Sequence, residues 1–190
     1  FKLYVALGDY DAASTTSALL ARQEQEMGNY KVAHAALFES SRELLRDWQT
    51  ETRLAIGVQK QLNLLHSYVL VKSFVRQQDH EGCARLLHRI AKNITKFPAH
   101  VVPILTSTVV ECTRGGMKRT AVHFAQKLMA PTLRAEIGDA YKRKVETIAR
   151  KPDPNAEDTT EPVSACPFCD TTGGAYDLTC NTCQADVPMC

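Results

Sequence analysis

Leu7-Gly8-Asp9-Tyr10-Asp11-Ala12-Ala13 and Met27-Gly28-Asn29-Tyr30-Lys31-Val32-Ala33 carry one pattern, Gly-(Asp/Asn)-Tyr-x-x-Ala, repeated at an interval of 20 residues. The pattern marks a turn between two packed helices. Gly takes the left-handed conformation of the tight turn that ends one helix, Tyr packs beside it, and Ala lets the two helices approach closely. An interval of 20 residues is one helix plus one turn. Both flanks carry the matching periodicity. Tyr10 to Glu26 places Ala12, Ala13, Thr16, Leu19 and Leu20 at helical spacing, and Tyr30 to Arg46 places Ala33, Ala36, Leu37, Ser40 and Leu44.

The same reading extends along the chain. Val58 to Arg76 carries Leu62, Leu65, Tyr68 and Val69 on one side and Leu64, Val71 and Val75 on others, as expected of a helix sandwiched between neighbours. Helices are predicted over Gly82 to Ile94 (Cys83, Leu87, Ile90, Ala91, Ile94), Val101 to Thr113 and Met117 to Met129 (Met117, Ala121, Phe124, Ala125, Leu128). The last runs from Thr132 to Arg150 (Leu133, Ile137, Ala140, Tyr141, Val145, Ile148). Asp79-His80, Phe97-Pro98, Gly115-Gly116 and Pro131 separate them, where Gly and Pro end and open helices. No strand alternation is sustained before residue 160. The expectation is an all-α, TPR-like solenoid of helical hairpins, irregular because its repeat is not the standard 34 residues. Such arrays present extended surfaces and bind proteins.

The tail differs in kind. Pro152-Asp-Pro-Asn-Ala-Glu-Asp-Thr-Thr-Glu-Pro162 is polar, acidic and broken by three prolines, so it reads as a linker. The resulting division is a solenoid over 1–150, an acidic linker over 151–165 and a cysteine-rich module over 166–190. Of seven cysteines, five fall in that module. Cys166-Pro-Phe-Cys169 and Cys180-Asn-Thr-Cys183 have the spacing of paired knuckles that close a tetrahedral four-thiolate zinc site. Disulfide pairing and a redox dithiol or iron–sulfur site are the competing uses of this spacing. A closed four-cysteine site leaves no open coordination position for metal catalysis, so a bound zinc would be structural. So few residues cannot fold on burial alone, and metal binding would supply most of their stability. Gly173-Gly174 would reverse the chain between knuckles, and Phe168, Tyr176, Leu178 and Val187 would form a small core. Cys190 is either the first ligand of a possible second site or a free thiol. Cys83 and Cys112 sit at apolar helical positions and read as small core residues.

Charge divides along the same line. Residues 1–150 hold 22 bases and 14 acids, a net +8, and residues 151–190 hold one base and seven acids, a net −6. This is either a solvated surface with an acidic tail or a basic face for an acidic partner or anionic lipid. Arg85, Arg89, Lys92 and Lys96 form a basic stripe on one helix. Lys142-Arg143-Lys144 with Arg150-Lys151 either attracts phosphate or complements a helix dipole. Aromatics do not interleave with these bases and the tail is acidic, which argues against nucleic acid. No run has the length and apolarity of a membrane span, so membrane contact is expected to be indirect or weak. No phosphate loop, dinucleotide fingerprint, zinc-protease motif or nucleophile elbow occurs, and no catalytic residue is assigned. His34, His66, His80, His88, His100 and His123 are scattered over helices and turns, and His34, His66, His88 and His123 read as satisfied surface or half-buried residues rather than ligands. The chain opens on Phe1 with neither Met nor signal peptide, so it reads as a piece of a longer protein.

Leu65-His-Ser-Tyr-Val-Leu-Val-Lys72, Lys96-Phe-Pro-Ala-His-Val-Val-Pro-Ile-Leu-Thr-Ser-Thr-Val-Val-Glu-Cys112, Arg150-Lys-Pro-Asp153 and Cys166-Pro-Phe-Cys169 carry a more specific likeness. The chain resembles the C-terminal end of the WD-repeat/TPR core subunits of intraflagellar transport complex A. The resemblance implies N-terminal WD-repeat propellers outside this chain, then a long TPR-like solenoid and a cysteine-rich zinc module. It implies a non-catalytic scaffold acting in retrograde transport and ciliary cargo entry, at the cilium or flagellum, basal body and cytoplasm. The implied partners are other complex A subunits, and ciliary membrane-protein cargo or an adaptor. Family members continue with further Cys and His residues, which leaves the number of zinc ions open. Two other readings use the same features. One is a RING-like module with a ubiquitin-ligase role, which needs eight ligands; the other is a coatomer-like vesicle-coat subunit.

Overall fold

The computed structural model describes residues 1–44, 52–150, 158, 163–174, 177, 179–185 and 187, with side chains from residue 57 onward in the second stretch. Among these, nine α-helices follow one another: α1 (Lys2–Ala6), α2 (Tyr10–Glu26), α3 (Tyr30–Leu44), α4 (Thr52–Gln77), α5 (His80–Lys92), α6 (Val101–Arg114), α7 (Lys118–Leu128), α8 (Pro131–Ala135) and α9 (Asp139–Arg150). Two 3-10 turns, Ile94–Lys96 and Pro98–His100, lead into α6, and β1 (Val163–Ala165) pairs with β2 (Thr172–Gly174). The architecture is the expected all-α array of TPR-like hairpins followed by a small cysteine-rich module. No described helix is long and apolar enough to cross a membrane. The chain divides into two compact units. One holds Phe1–Val69, Ala165–Gly173 and Asp177–Cys190; the other holds Leu70–Ser164 and Gly174–Tyr176.

Four helix ends share one turn geometry. Gly8, Gly28 and Gly116 take φ of 74°, 82° and 82°, and Gln78 takes the same left-handed conformation at 60°. The next N–H then reaches the carbonyl five residues back: Asp9 to Tyr4 at 2.9 Å, Asn29 to Glu24 at 2.8 Å, Asp79 to Phe74 at 3.0 Å and Met117 to Cys112 at 2.9 Å. This bond satisfies a carbonyl that the helix end would otherwise leave open. Asp9 and Asp79 then cap the following helices, accepting from the Ala12 N–H at 3.1 Å and the Gly82 N–H at 2.9 Å. Sequence motif reading finds the first two turns. It misses the likeness of the third, where Gln replaces Gly and His replaces Tyr.

In the first unit, α2 packs on α3 through small residues. Its buried positions are Ala13, Ser14, Ser17, Ala21 and Gln25, a stripe recurring every fourth residue. Leu19 and Leu20, expected in the core, are 60% and 50% exposed. The axes meet where side chains are smallest, which rotates both leucines outward. On α3 the expected Ala33, Leu37, Ser40 and Leu44 are buried. The Tyr30 ring packs against Tyr68 of α4 with centroids 4.2 Å apart. Burial, then the neighbouring Tyr68, raises the Tyr30 phenol far above its usual range. His34 Nε2 lies 3.1 Å from His66 Nδ1, one ring donating and the other accepting. Burial, then His66, holds the His34 imidazole below its ordinary value.

In the second unit, α5 packs on α6, α6 on α7, and α7 and α6 on α9. Cys83, Leu87, Ile90 and Ala91 of α5 are buried with Ile94 just beyond it, and Met117, Ala121, Phe124, Ala125 and Leu128 are buried around α7. Cys83 and Cys112 are core residues; burial first, then nearby acidic groups, pushes both thiols up to about 12. Glu111, also buried, accepts from His80 Nδ1 at 2.7 Å and Arg114 Nη1 at 3.0 Å. Three expectations change here. Arg89 is buried, so it does not extend an exposed basic stripe with Arg85, Lys92 and Lys96. The helix expected over Thr132 to Arg150 breaks into α8 and α9, and the Gly138 carbonyl accepts the first bonds of α9 from Tyr141 and Lys142. That break buries Ile137, while Tyr141 stays 49% exposed. Arg134 Nε and Nη2 both donate to Glu146 Oε1, at 3.0 and 2.6 Å, and join the two pieces. Finally, α1 precedes the first expected helix and buries none of its residues.

Two outcomes follow from this packing. A Cβ on Gly115 would lie 2.5 Å from the His80 backbone oxygen and 3.0 Å from Ala84 Cβ. Gly115→Ala should therefore force α6 away from α5 and cost about 1–3 kcal/mol in denaturant unfolding, as overpacking does. His34 has a folded pKa below its unfolded value, so its neutral form favours the folded state. That stability is fully present above about pH 6.5, the unfolded value, and is lost as pH falls through the folded value. Melting temperatures at pH 7.5 and 5.5 should differ less in His34→Gln than in the parent.

Candidate metal centre

Two short loops with the same backbone build the site. Each is Cys-x-x-Cys followed by two further residues, Asp170-Thr171 in the first and Gln184-Ala185 in the second. The Asp170 N–H donates to the Cys166 carbonyl at 2.9 Å, and the Gln184 N–H to the Cys180 carbonyl at 3.0 Å. The Cys166 N–H donates to the Thr171 carbonyl at 3.0 Å, and the Cys180 N–H to the Ala185 carbonyl at 2.8 Å. Asp170 and Gln184 both take left-handed φ, 55° and 58°. They are the residues that sequence reasoning missed. The available signal was their shared place directly after the second cysteine of each pair, where the chain must turn back on itself.

The knuckles bring together all four predicted ligands. The Sγ atoms of Cys166, Cys169, Cys180 and Cys183 lie within 4.8 Å of one another. Cys166 Sγ is 3.7 Å from Cys183 Sγ, and Cys169 Sγ is 3.6 Å from Cys180 Sγ. Each of these contacts joins one knuckle to the other. The cysteines are free thiols, since a disulfide would need sulfurs about 2.05 Å apart. Four soft sulfur donors converging on one point can hold a metal ion. Cys190, the candidate for a second site, lies outside the described residues, as do Tyr176 and Leu178 of the expected small core. Phe168 is not core: it is 67% exposed. Gly173-Gly174 lies in β2, and the reversal from β1 to β2 is made inside the first knuckle.

The thiols of the cluster differ in how easily they ionise. The Thr171 side chain and then its backbone N–H stabilise a Cys169 thiolate, bringing it down to about 6. Backbone N–H groups of Cys183 and Thr182 lower Cys180. The Ala185 N–H pulls Cys183 down, but desolvation and the three neighbouring sulfurs together outweigh it and leave this thiol at about 12. Cys169 and Cys180 therefore ionise more easily than Cys183, and a full set of thiolates would repel one another. A bound cation removes that repulsion and deprotonates every ligand.

A helical-repeat chain ending in a two-knuckle, four-thiol module is the class that fold and site define. No protein-family model matches the sequence. Individual proteins do. The chain is 46% identical over 169 residues to WD repeat-containing protein 19 of Mus musculus and 45% identical to that of Homo sapiens, each alignment covering 89% of the chain. It is 40% identical over 190 residues to WD repeat-containing protein dyf-2 of Caenorhabditis elegans, covering all of the chain. The chain is thus homologous to a segment of the WD repeat-containing protein 19 family, and spans 12–13% of the length of these curated relatives.

Cysteine replacement tests the centre. Elemental analysis of the purified chain should find a bound metal ion that Cys166→Ser and Cys180→Ser variants lose. The module should become protease-sensitive in both variants, while the helical circular dichroism of the array keeps its cooperative melt.

Proposed function

We propose that this chain is a non-catalytic docking segment of a subunit of intraflagellar transport complex A. It would act in retrograde transport and ciliary cargo entry through protein–protein contacts. The observation that carries the reading is homology to WD repeat-containing protein dyf-2 over all 190 residues, helices and knuckles together. In this reading residues 1–150 are the docking solenoid, 151–165 the acidic connection and 166–190 the metal module. Partners are the other complex A subunits, with ciliary membrane-protein cargo or an adaptor as a further class, and contact with membrane is indirect. The working sites are the cilium or flagellum, the basal body and the cytoplasm.

The ion is zinc, held for shape by Cys166, Cys169, Cys180 and Cys183. Four sulfurs tetrahedrally placed about 2.3 Å from a zinc ion would lie about 3.8 Å apart. The contacts of 3.6 and 3.7 Å between the knuckles fit that figure. With four thiolates bound, no coordination position is left for substrate or water, which supports a structural role over catalysis. Affinity for partners would come from apolar helix surface. Leu3 and Leu7 at the start of the array and Leu19, Leu20, Val32 and Phe38 on α2 and α3 are exposed, and each buried Å2 contributes about 25 cal/mol before association costs.

Reconstitution tests the reading. The chain, mixed with each of the other complex A subunits, should co-elute with at least one on size exclusion. The association should weaken at least tenfold when Leu19 and Leu20 are both replaced by Asp. Absence of association with every subunit would overturn it.

A further inference from the structure

Two of the scattered histidines meet in the first unit. His34 stands on α3 and His66 on α4, 32 residues further on, with His34 Nε2 and His66 Nδ1 3.1 Å apart. The ring centroids lie 5.1 Å apart and the ring planes are inclined by 32°. Both histidines are half-buried, and each is flanked by buried residues of its own helix, Ala33 and Leu37 around the first and Leu65 and Ser67 around the second. Phe38, one turn after His34, stacks on its ring with 12° between the planes. Tyr30, one turn before it, packs against Tyr68 of α4. Two packed helices therefore hold the rings with their nitrogens opposed.

We propose that His34 and His66 form a two-imidazole site for a divalent transition-metal ion such as zinc, a clip between α3 and α4 built from residues other than the four cysteines. Two nitrogens each about 2.0–2.1 Å from one ion lie about 2.9 Å apart at a right angle and about 3.3 Å apart at a tetrahedral one. The observed 3.1 Å falls between these separations. Imidazole suits zinc, nickel and copper, whereas magnesium and calcium take oxygen ligands. Burial, then His66, holds the His34 ring below its ordinary pKa, which favours the neutral form that ligates at pH 7. A neutral ring has one N–H and one nitrogen lone pair. Without an ion, one facing nitrogen donates a hydrogen bond to the other. With an ion, both facing nitrogens present lone pairs, so the donor ring carries its proton on the far nitrogen instead. The tautomer changes and no proton is lost overall. Water fills the coordination positions that two rings leave open.

Zinc titration of the full 190-residue chain, without a histidine tag, tests this. The chain is first saturated with zinc and dialysed free of loosely held ion. Calorimetry should then show one further ion binding. The ring nitrogen resonances of His34 and His66 should both shift with it, one of them reporting the change of tautomer. Magnesium should shift neither. His34→Gln and His66→Gln should each weaken the added binding at least tenfold, while His123→Gln, which alters an exposed ring, leaves it unchanged. Undiminished binding in both variants would overturn the site. Should either variant fail to fold, the parent's ring resonances decide: a zinc-dependent shift at both rings upholds the site, and a shift at fewer than both overturns it.

Discussion

Six described residues take positive φ, and every one stands where the chain must reverse. Gly8, Gly28, Gln78 and Gly116 end helices, and Asp170 and Gln184 end knuckles. The left-handed conformation lets a chain stop, hand its last carbonyls to new donors and leave in another direction within two residues. Without it, α2 could not return beside α3, and the two cysteines of a knuckle could not face one point. Helical array and metal module, so different in composition, are shaped by the same backbone device. Three of the six positions carry side chains, which accept the steric penalty of this region because surrounding hydrogen bonds specify the turn.

Closeness of approach is the second theme. The small stripe on α2 and the bare Cα of Gly115 against the His80 carbonyl put helix axes nearer than leucine contacts would allow. Close packing of this kind gains dispersion contacts and turns larger side chains outward, leaving Leu19, Leu20, Val32 and Phe38 available on the surface. The proposed docking role would use this division: an interior close-packed through small residues and an apolar exterior that a partner could cover.

The metal module draws its order from elsewhere. Its hydrogen bonds fix each knuckle, but gathering all four sulfurs takes both knuckles, and their mutual repulsion when ionised opposes that gathering. A cation reverses the sign of the interaction. Asp158 is held in turn by its carboxylate on the first N–H groups of α7, a polar contact where apolar burial is small.

Helix identity, turn positions and the four clustered cysteines were legible from residue order because each rests on local chemistry. Periodicity needs only neighbours three and four apart, a Gly-Asp turn needs two residues, and Cys-x-x-Cys needs four. Tertiary structure alone decided which face of α2 is buried, that Arg89 lies inside, that the last helix breaks with Ile137 buried at the break, and that Asp158 caps α7. Each of these depends on a partner distant in sequence, and the free energy of such a contact is set by what arrives opposite a residue rather than by the residue itself.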